Sequence, residues 1–290
     1  MSIPAEVGAP TDLSALPDLS DLSSLPPSPR MPVLFVGHGS PMNTIEDNEF
    51  RRSWEALGAE FGTRWPRPAL VLCISAHWLT HGWWITGQAQ PRTIHDFGGF
   101  PQELFAQQYP APGAPEVARQ ISQRLRDPAV SVDEHEWGFD HGSWSILKPM
   151  FPAAGIPTVQ LSLNWDAPPP EHLAMGRRLR GLRGRGVLIV ASGNTVHNLR
   201  TMRRDAPPDQ AYDWTIAFDQ QVGQWIAQGE HDALAGFQQL GDVAKLAQPS
   251  YDHFLPLLYA AGASWPGEPV RFFNERYQGA SIAMRSAIWG

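Results

Sequence analysis

Short apolar runs alternate with stretches of helical periodicity along most of this chain. The apolar runs predict strands at MPVLFVG, PALVLCISAHW, WWIT, AVSVDE, PTVQLSL and GVLIVASGN, and strand-like closing segments at VRFFNERY and SIAMRSAI. Helical spacing predicts helices near Glu46–Phe61, Ala114–Asp127, Gly142–Phe151, Glu171–Leu182, Tyr212–Gln228 and Asp252–Ala261. Continuous apolar strands are typical of a sheet buried on both faces. The pattern therefore predicts a single α/β domain with a central, mostly parallel or mixed β-sheet and helices on both faces.

The first 30 residues have a different character from the rest of the chain. They are rich in proline and serine, and their leucines are scattered between short acidic steps. They have no basic start and no continuous apolar segment, so they do not resemble a secretory signal. We expect a disordered tail over residues 1–30 and one folded domain over residues 31–290, with a weak docking segment as the alternative for the tail.

Composition and charge narrow the class of protein. An apolar content of 42% over 290 residues is sufficient for a packed core. A net charge of −7 gives no basic patch for nucleic acid or for a membrane surface. No apolar run approaches the roughly 18–20 residues needed to span a bilayer, and the single cysteine, Cys73, suits a reducing compartment. We expect a cytoplasmic protein with neither a nucleic-acid nor a membrane partner.

Three predicted strands end in or near a histidine. His38 stands between two glycines after the first strand, His77 ends the second, and His197 follows the strand LIVAS. In α/β sheets, functional groups gather where parallel strands end. A buried imidazole is costly unless its ring nitrogens find partners. A shared divalent metal explains all three positions, because imidazole is the commonest protein ligand of Zn, Fe and Cu.

Three further histidines have a context that points to function. His141 lies between an aspartate and a glycine just before a predicted helix, and His95 lies in a loop that contains glycines. His253 falls in the first turn of an apolar helix, where Pro256 leaves backbone carbonyls without their usual donors. The remaining histidines lie in polar stretches and are predicted at the surface: His81, His135, His172 and His231.

Eight short motifs follow one another in a recognisable order. They are HGSPMN, SAHW, TIHDFGGFP, YPAPG, WGFDHGSW, VQLS, ASGN-VHNL and DHFLPLLYAAG. In this order they resemble the 4,5-DOPA extradiol dioxygenase family, within the class III or LigB-type ring-cleaving dioxygenases, over residues 31–290. The resemblance implies a catalytic α/β domain, a mononuclear metal site, and cleavage by O₂ of a catechol ring next to its two hydroxyls.

The same resemblance implies roles for individual residues. The implied ligands of one divalent metal, Zn(II) or Fe(II), are His38, His77, His197 and His253. His197 is implied to be the catalytic histidine. We further hypothesise that His141 is catalytic and that His95, His141 and Ser40 face the substrate. Non-haem Fe(II) oxygenases commonly use two histidines and one carboxylate, which Asp252 could supply, whereas an all-histidine set suits Zn(II) well.

The leading interpretation is an extradiol dioxygenase that acts on DOPA or a related catechol and on O₂. Two other interpretations stay open from the residues alone. One is a zinc-dependent hydrolase that uses the same ligands and a metal-bound water as nucleophile. The other is a protein that binds a metal or a small molecule without turnover, because fold alone does not separate these functions.

Overall fold

The computed structural model describes residues 19–207 and 209–290. Its strands are β1 Val33–Gly37, β2 Leu70–Thr80, β3 Trp83–Thr86, β4 Val130–Asp133, β5 Thr158–Asn164, β6 Val187–Gly193, β7 Val270–Phe273, β8 Tyr277–Gln278, β9 Ile282–Ala283 and β10 Ser286–Trp289. In this part of the chain, eight strands form one sheet in the order β4-β3-β5-β2-β6-β1-β10-β7, and β8 and β9 form a separate antiparallel pair. The central neighbours β5, β2, β6 and β1 are parallel, whereas β10 and β7 extend the sheet antiparallel.

Helices cover both faces of this sheet, which confirms the predicted α/β architecture. They are α1 Glu49–Glu60, α2 Gln102–Phe105, α3 Pro115–Arg124, α4 His141–Met150, α5 Pro169–Leu179, α6 Asp213–Gln228, α7 His231–Ala235, α8 Asp242–Ala247 and α9 Leu255–Ala263. Successive residues of a strand point to opposite faces, so Leu34 and Val36 pack with α1 and α4 while Val33 and Phe35 pack with α3, α5, α6 and α9. No helix among the described residues is both long enough and apolar enough to traverse a membrane.

Helix α4 begins at His141 because the preceding residue caps it. The Asp140 side chain accepts a hydrogen bond from the backbone N–H of Ser143, one of the N–H groups that a helix start leaves without a partner. Asp140 also accepts a hydrogen bond of 2.6 Å from Ser75 Oγ on β2. The cap therefore fixes the start of α4, and with it the His141 backbone, against the central strand β2.

The segment before β1 differs from the predicted disordered tail. Residues 1–18 lie outside the described residues, but Leu19, Leu22 and Leu25 are buried in the core. The backbone N–H of Ser28 donates to Gly184 O at 2.9 Å, which ties the segment to the 3-10 helix Arg180–Arg185. Composition alone suggested disorder because it ignores spacing. The three leucines recur every third residue and meet an apolar surface supplied by the rest of the domain.

Candidate metal centre

The strand-end histidines meet at one edge of the sheet. Strands β2, β6 and β1 are adjacent and parallel, so their carboxyl ends lie side by side. His38 directly follows β1, His77 lies near the end of β2, and His197 lies four residues beyond β6. The sheet therefore gathers residues from three distant parts of the sequence.

His253 reaches the same edge through the turn that precedes α9. This turn packs directly on the end of β6: Asn194 N–H donates to His253 O at 2.8 Å. A Cβ atom on Gly193 would lie 2.2 Å from that same carbonyl oxygen. Glycine at position 193 is thus what allows the backbone of His253 to come this close.

Three imidazoles are spaced as ligands of one ion would be. The Nε2 atoms of His38 and His77 are 3.2 Å apart, and one ligand atom from each of His38, His77 and His253 lies within 4.8 Å of the others. Tetrahedral Zn–N bonds of about 2.0–2.1 Å put neighbouring nitrogens roughly 3.4 Å apart. The described residues therefore form a three-histidine site able to hold a metal.

The outer nitrogen of His38 is held by a serine whose proton is engaged elsewhere. Ser192 Oγ donates to the backbone oxygen of Gly142 and lies 3.0 Å from His38 Nδ1. Since the hydroxyl has one proton, it can only accept from His38 Nδ1. This places the ring proton on Nδ1 and leaves the Nε2 lone pair of His38 for a ligand.

Asp252 fixes the ring proton of His253 on Nδ1, as Ser192 does for His38. Its carboxylate accepts a 2.5 Å hydrogen bond from His253 Nδ1, so it holds the ring from behind and does not enter the site itself. His253 Nε2 is buried and has no hydrogen-bond partner in the described part of the chain. An unpartnered buried nitrogen calls for a ligand, and the carboxylate–histidine arrangement is typical of metal sites. The residues present thus fit a metal.

Burial sets the protonation of the cluster. It lowers the pKa of His38, His77 and His197 well below the ordinary value of 6.5, and the neighbouring imidazoles lower it further. For Asp252, burial alone would raise the pKa, but the hydrogen bond and charge of His253 bring it well below its usual value. The three histidines are therefore neutral at pH 7, which is the form that binds metals or accepts a proton.

His197 lies beside the three-histidine set. Its ring stacks on that of His253, with centroids 3.5 Å apart and planes 4° from parallel. In the described part of the chain, the three-histidine group whose ligand atoms lie within 4.8 Å of one another does not include His197. His197 therefore lies against one member of the three-histidine set.

His141 enters the cluster together with a residue that the sequence analysis missed. The ring centroids of His141 and His77 are 3.9 Å apart. Asp96 Oδ2 lies 3.0 Å from His141 Nδ1 and 3.2 Å from His77 Nδ1. Burial would raise the pKa of Asp96, but its contacts with His141 outweigh this and lower it. Asp96 could have been found in the motif TIHDFGGFP, where it follows the histidine that drew attention.

His95 and Ser40 lie in the surroundings of the cluster. The His95 ring packs among three aromatic side chains, Phe97, Phe105 and Trp144. Its Nε2 donates to the backbone oxygen of Gln107 at 2.9 Å, so one ring nitrogen is already engaged. The half-buried Ser40 caps the 3-10 helix Pro41–Thr44 with its hydroxyl. Their substrate contacts stay predictions.

One of the histidines predicted at the surface is in the core. His172 is fully buried, and its Nδ1 lies 3.0 Å from the hydroxyl of Tyr259. The prediction was wrong because the polar residues around it lie on the outer side of α5, whereas His172 faces α9. Burial lowers its pKa to about 4. His81 and His135 are exposed, and His231 is half-buried.

Comparison with known proteins finds a family and relatives that match most of this chain, including the residues of the histidine cluster. The family described as "Catalytic LigB subunit of aromatic ring-opening dioxygenase" matches residues 32–281. A 4,5-DOPA dioxygenase extradiol from Escherichia coli K12 is 44% identical over 91% of this chain and 96% of its own length. A protein of the same name from Beta vulgaris is 32% identical over 87% of this chain and 94% of its own. The crystal structure of an uncharacterized E. coli protein, JW3007, has a TM-score of 0.78 at 39% identity and covers 90% of this chain and 100% of that one.

Proposed function

We propose extradiol cleavage of a catechol such as DOPA as the reaction of this chain, which belongs to the LigB family of aromatic ring-opening dioxygenases. The family establishes a dioxygenase, as predicted, and the names of the relatives support DOPA or a related catechol as substrate. The observation that carries the proposal is the three-histidine site with the unpartnered Nε2 of His253. The relatives do not favour the hydrolase or the non-catalytic interpretation. We also propose residues 31–290 as the catalytic domain.

We assign the metal to His38, His77 and His253, whose ring nitrogens converge on one point. The bound ion supplies a Lewis acid that lowers the pKa of the catechol hydroxyls and, if it is Fe(II), electrons for O₂. Zn(II) fits three imidazoles equally well but exchanges no electrons. We therefore propose Fe(II) for turnover, with Zn(II) as a competing occupant.

His197 and His141 are proposed to handle the substrate and its protons. His197 is neutral at pH 7 because burial lowers its pKa, so it can accept the proton that a catechol keeps after its first hydroxyl is ionised, and return it later. His141 lies on the other side of His77, next to the ring of Phe97. It is placed to orient the aromatic ring and its oxygen atoms, while Phe97 excludes water.

The proposal is tested by loading the purified, metal-free protein anaerobically with Fe(II) or with Zn(II). Metal content is measured first, and O₂ uptake is then followed with L-DOPA, caffeate and catechol. We expect about one metal ion per chain and one O₂ consumed per catechol with Fe(II) alone, together with the visible absorbance of a muconic semialdehyde. Zn(II) should bind without any O₂ uptake.

The matched variants are His253→Ala and His231→Ala. The first removes a proposed ligand and should abolish both metal binding and O₂ uptake. The second removes a half-buried histidine on α7, outside the cluster, and should change neither. Oxygen uptake that persists at the wild-type rate in His253→Ala, or hydrolysis without O₂ by the zinc form, would contradict the proposal.

A further inference from the structure

The carboxylate of Asp96 lies close to two imidazoles of the cluster. Asp96 Oδ2 lies within 3.2 Å of Nδ1 of both His77 and His141. Its other oxygen, Oδ1, accepts a 2.9 Å hydrogen bond from the backbone N–H of His141. The side chain is therefore fixed to the start of α4 and presents one oxygen to two ring nitrogens at once.

The contact with His141 has no competitor in the described residues. His141 Nδ1 is buried and makes no aligned hydrogen bond there, so Asp96 is the acceptor within reach. A carboxylate oxygen accepts two hydrogen bonds readily, since each oxygen offers about two lone pairs.

The direction of these contacts fixes where each ring keeps its proton. An ionised carboxylate only accepts, so a hydrogen bond from either ring to Asp96 requires the proton on Nδ1. That leaves a lone pair on Nε2 of each ring. For His77 the free Nε2 is the atom 3.2 Å from His38 Nε2, at the centre of the three-histidine site.

We propose that Asp96 is a positioning residue that holds His77 and His141 in the same tautomer, with the proton on Nδ1, and so couples a metal ligand to the substrate-facing histidine. The coupling to catalysis rests on the function proposed above. The tautomers are argued from the two Asp96 contacts and do not depend on the reaction.

A second metal on the same three residues is the competing arrangement. His77, Asp96 and His141 also bring ligand atoms within 4.8 Å of one another. A metal there would require His77 to bind through both nitrogens, and hence to lose its last ring proton. A single neutral imidazole that donates to Asp96 and binds one ion needs no such loss.

The test uses protein labelled with ¹⁵N in its histidines and loaded with Zn(II), in which long-range ¹H–¹⁵N spectra report the tautomer of each ring. The signals of His77 and His141 are assigned from the variants His77→Gln and His141→Gln. We expect the proton on Nδ1 in both rings of the wild-type protein. A proton on Nε2 of either ring, or two zinc ions per chain, would overturn the proposal. This outcome is read from the wild-type protein and does not depend on how the Asp96 variants behave.

Asp96→Asn then tests the carboxylate. The amide offers one acceptor oxygen, so the two rings should lose their common tautomer and zinc affinity should fall about 10–100-fold. kcat should fall by a larger factor than KM rises. Asp96→Glu keeps an acceptor and should recover part of the zinc affinity.

The matched control is Asp166→Asn. Asp166 Oδ2 lies 2.9 Å from Nδ1 of His81, an exposed pair outside the cluster, so the same substitution there should change neither the cluster tautomers nor zinc affinity. Wild-type tautomers and affinity in Asp96→Asn would overturn the proposal. If the wild-type enzyme consumed no O₂, the proposed function would fail while the tautomer and affinity results still stood.

Discussion

At His253, a single hydrogen bond decides which nitrogen faces the cluster. Asp252 receives Nδ1–H, and the buried Nε2 is left for a ligand. In His38, the contact of Nδ1 with Ser192, a neutral partner, likewise leaves Nε2 for a ligand. Side chains behind the rings therefore prepare them before any ion binds, which reduces the reorganisation that binding would otherwise require.

His197→Gln separates proton transfer from metal binding. Glutamine keeps hydrogen-bonding capacity but cannot exchange a proton, so ring opening should fall about 10²–10⁴-fold. Because His197 stacks beside His253, the metal content should stay near one per chain. Single-turnover kinetics and metal analysis measure the two effects.

His253→Gln is the comparison for His197→Gln. Because it removes a proposed ligand, it should abolish metal binding. Loss of metal from His197→Gln at micromolar concentrations would make His197 a fourth ligand. Full turnover in His197→Gln would show that the residue only packs the loop.

At the scale of elements, the hydrophobic pattern located the strands and most of the helices. The run at Val33–Gly37 and the helix at Asp213–Gln228 lie where periodicity predicts them. The short helices α7 and α8 were missed because five or six residues are too few to show a period. The order of the strands in the sheet cannot be predicted from the hydrophobic pattern either. A buried strand has the same apolar sequence pattern whichever strands lie beside it.

The candidate site could be predicted only in part for a related reason. His38 and His77 stand out because they interrupt apolar strands, and strand ends are where α/β sheets carry function. Asp96 lies in a loop without periodicity, and its partner His141 is 45 residues away. Nothing in its immediate sequence states that the two residues meet.

The docked segment before β1 should contribute to stability. Leu22→Ala removes a fully buried side chain, which costs about 2–5 kcal/mol of the free energy of unfolding. Deletion of residues 1–30 should cost at least as much, because it also removes Leu19 and Leu25. Urea denaturation measures both.

Deletion of residues 1–18 is the comparison, since it removes none of the described contacts of this segment. Leu246→Ala, at a leucine with 42% exposure, should change the free energy of unfolding by less than about 0.5 kcal/mol. Equal stability of the full chain and the 1–30 deletion would restore the prediction of a disordered tail.

A buried ion pair anchors the loop that carries His197. Asp219 on α6 accepts a 2.7 Å hydrogen bond from Thr195 Oγ1 and pairs with Arg285 through both carboxylate oxygens. Asp219→Asn leaves the guanidinium with a weaker partner and should lower the free energy of unfolding by about 3 kcal/mol. Because Thr195 is two residues from His197, kcat should also fall.

Glu275→Gln is the matched control for Asp219→Asn, because Glu275 pairs with the same arginine from a side chain that is 52% exposed. Exposed pairs contribute about 0–1 kcal/mol, so stability and kcat should stay close to the wild type. An equal loss in both variants would mean that burial of the pair is not what matters.

For the whole molecule, the site is the point where segments far apart in sequence are forced together. His38 comes from the first strand of the sheet, and His253 lies in the turn before the last helix. The imidazoles are packed against one another, and burial together with the neighbouring rings lowers the pKa of His38 and His77. Folding of the metal-free chain therefore has to bring neutral rings together, and this makes stability depend on pH.

We predict that the metal-free protein loses stability as the pH falls from 7 to 5. An unfolded histidine takes up a proton near pH 6.5, whereas His38 stays neutral in the folded state until well below that value and His172 until about pH 4. In this window the unfolded state binds more protons, so the free energy of unfolding falls by up to about 1.4 kcal/mol per pH unit for each such residue. Urea denaturation of EDTA-treated protein at pH 7, 6 and 5 measures the slope.

His38→Gln should make this slope shallower by the contribution of one residue. The depressed pKa of Asp252 affects stability only below about pH 4, so Asp252 does not contribute to the slope in this window. Zinc binds the folded state, in which His38 and His77 stay neutral across this window, so by mass action it should raise the free energy of unfolding at pH 5 nearly as much as at pH 7. A metal-free protein that is equally stable at pH 7 and pH 5 would show that the rings are already protonated in the folded cluster, and the three-histidine site would then not be poised for a metal.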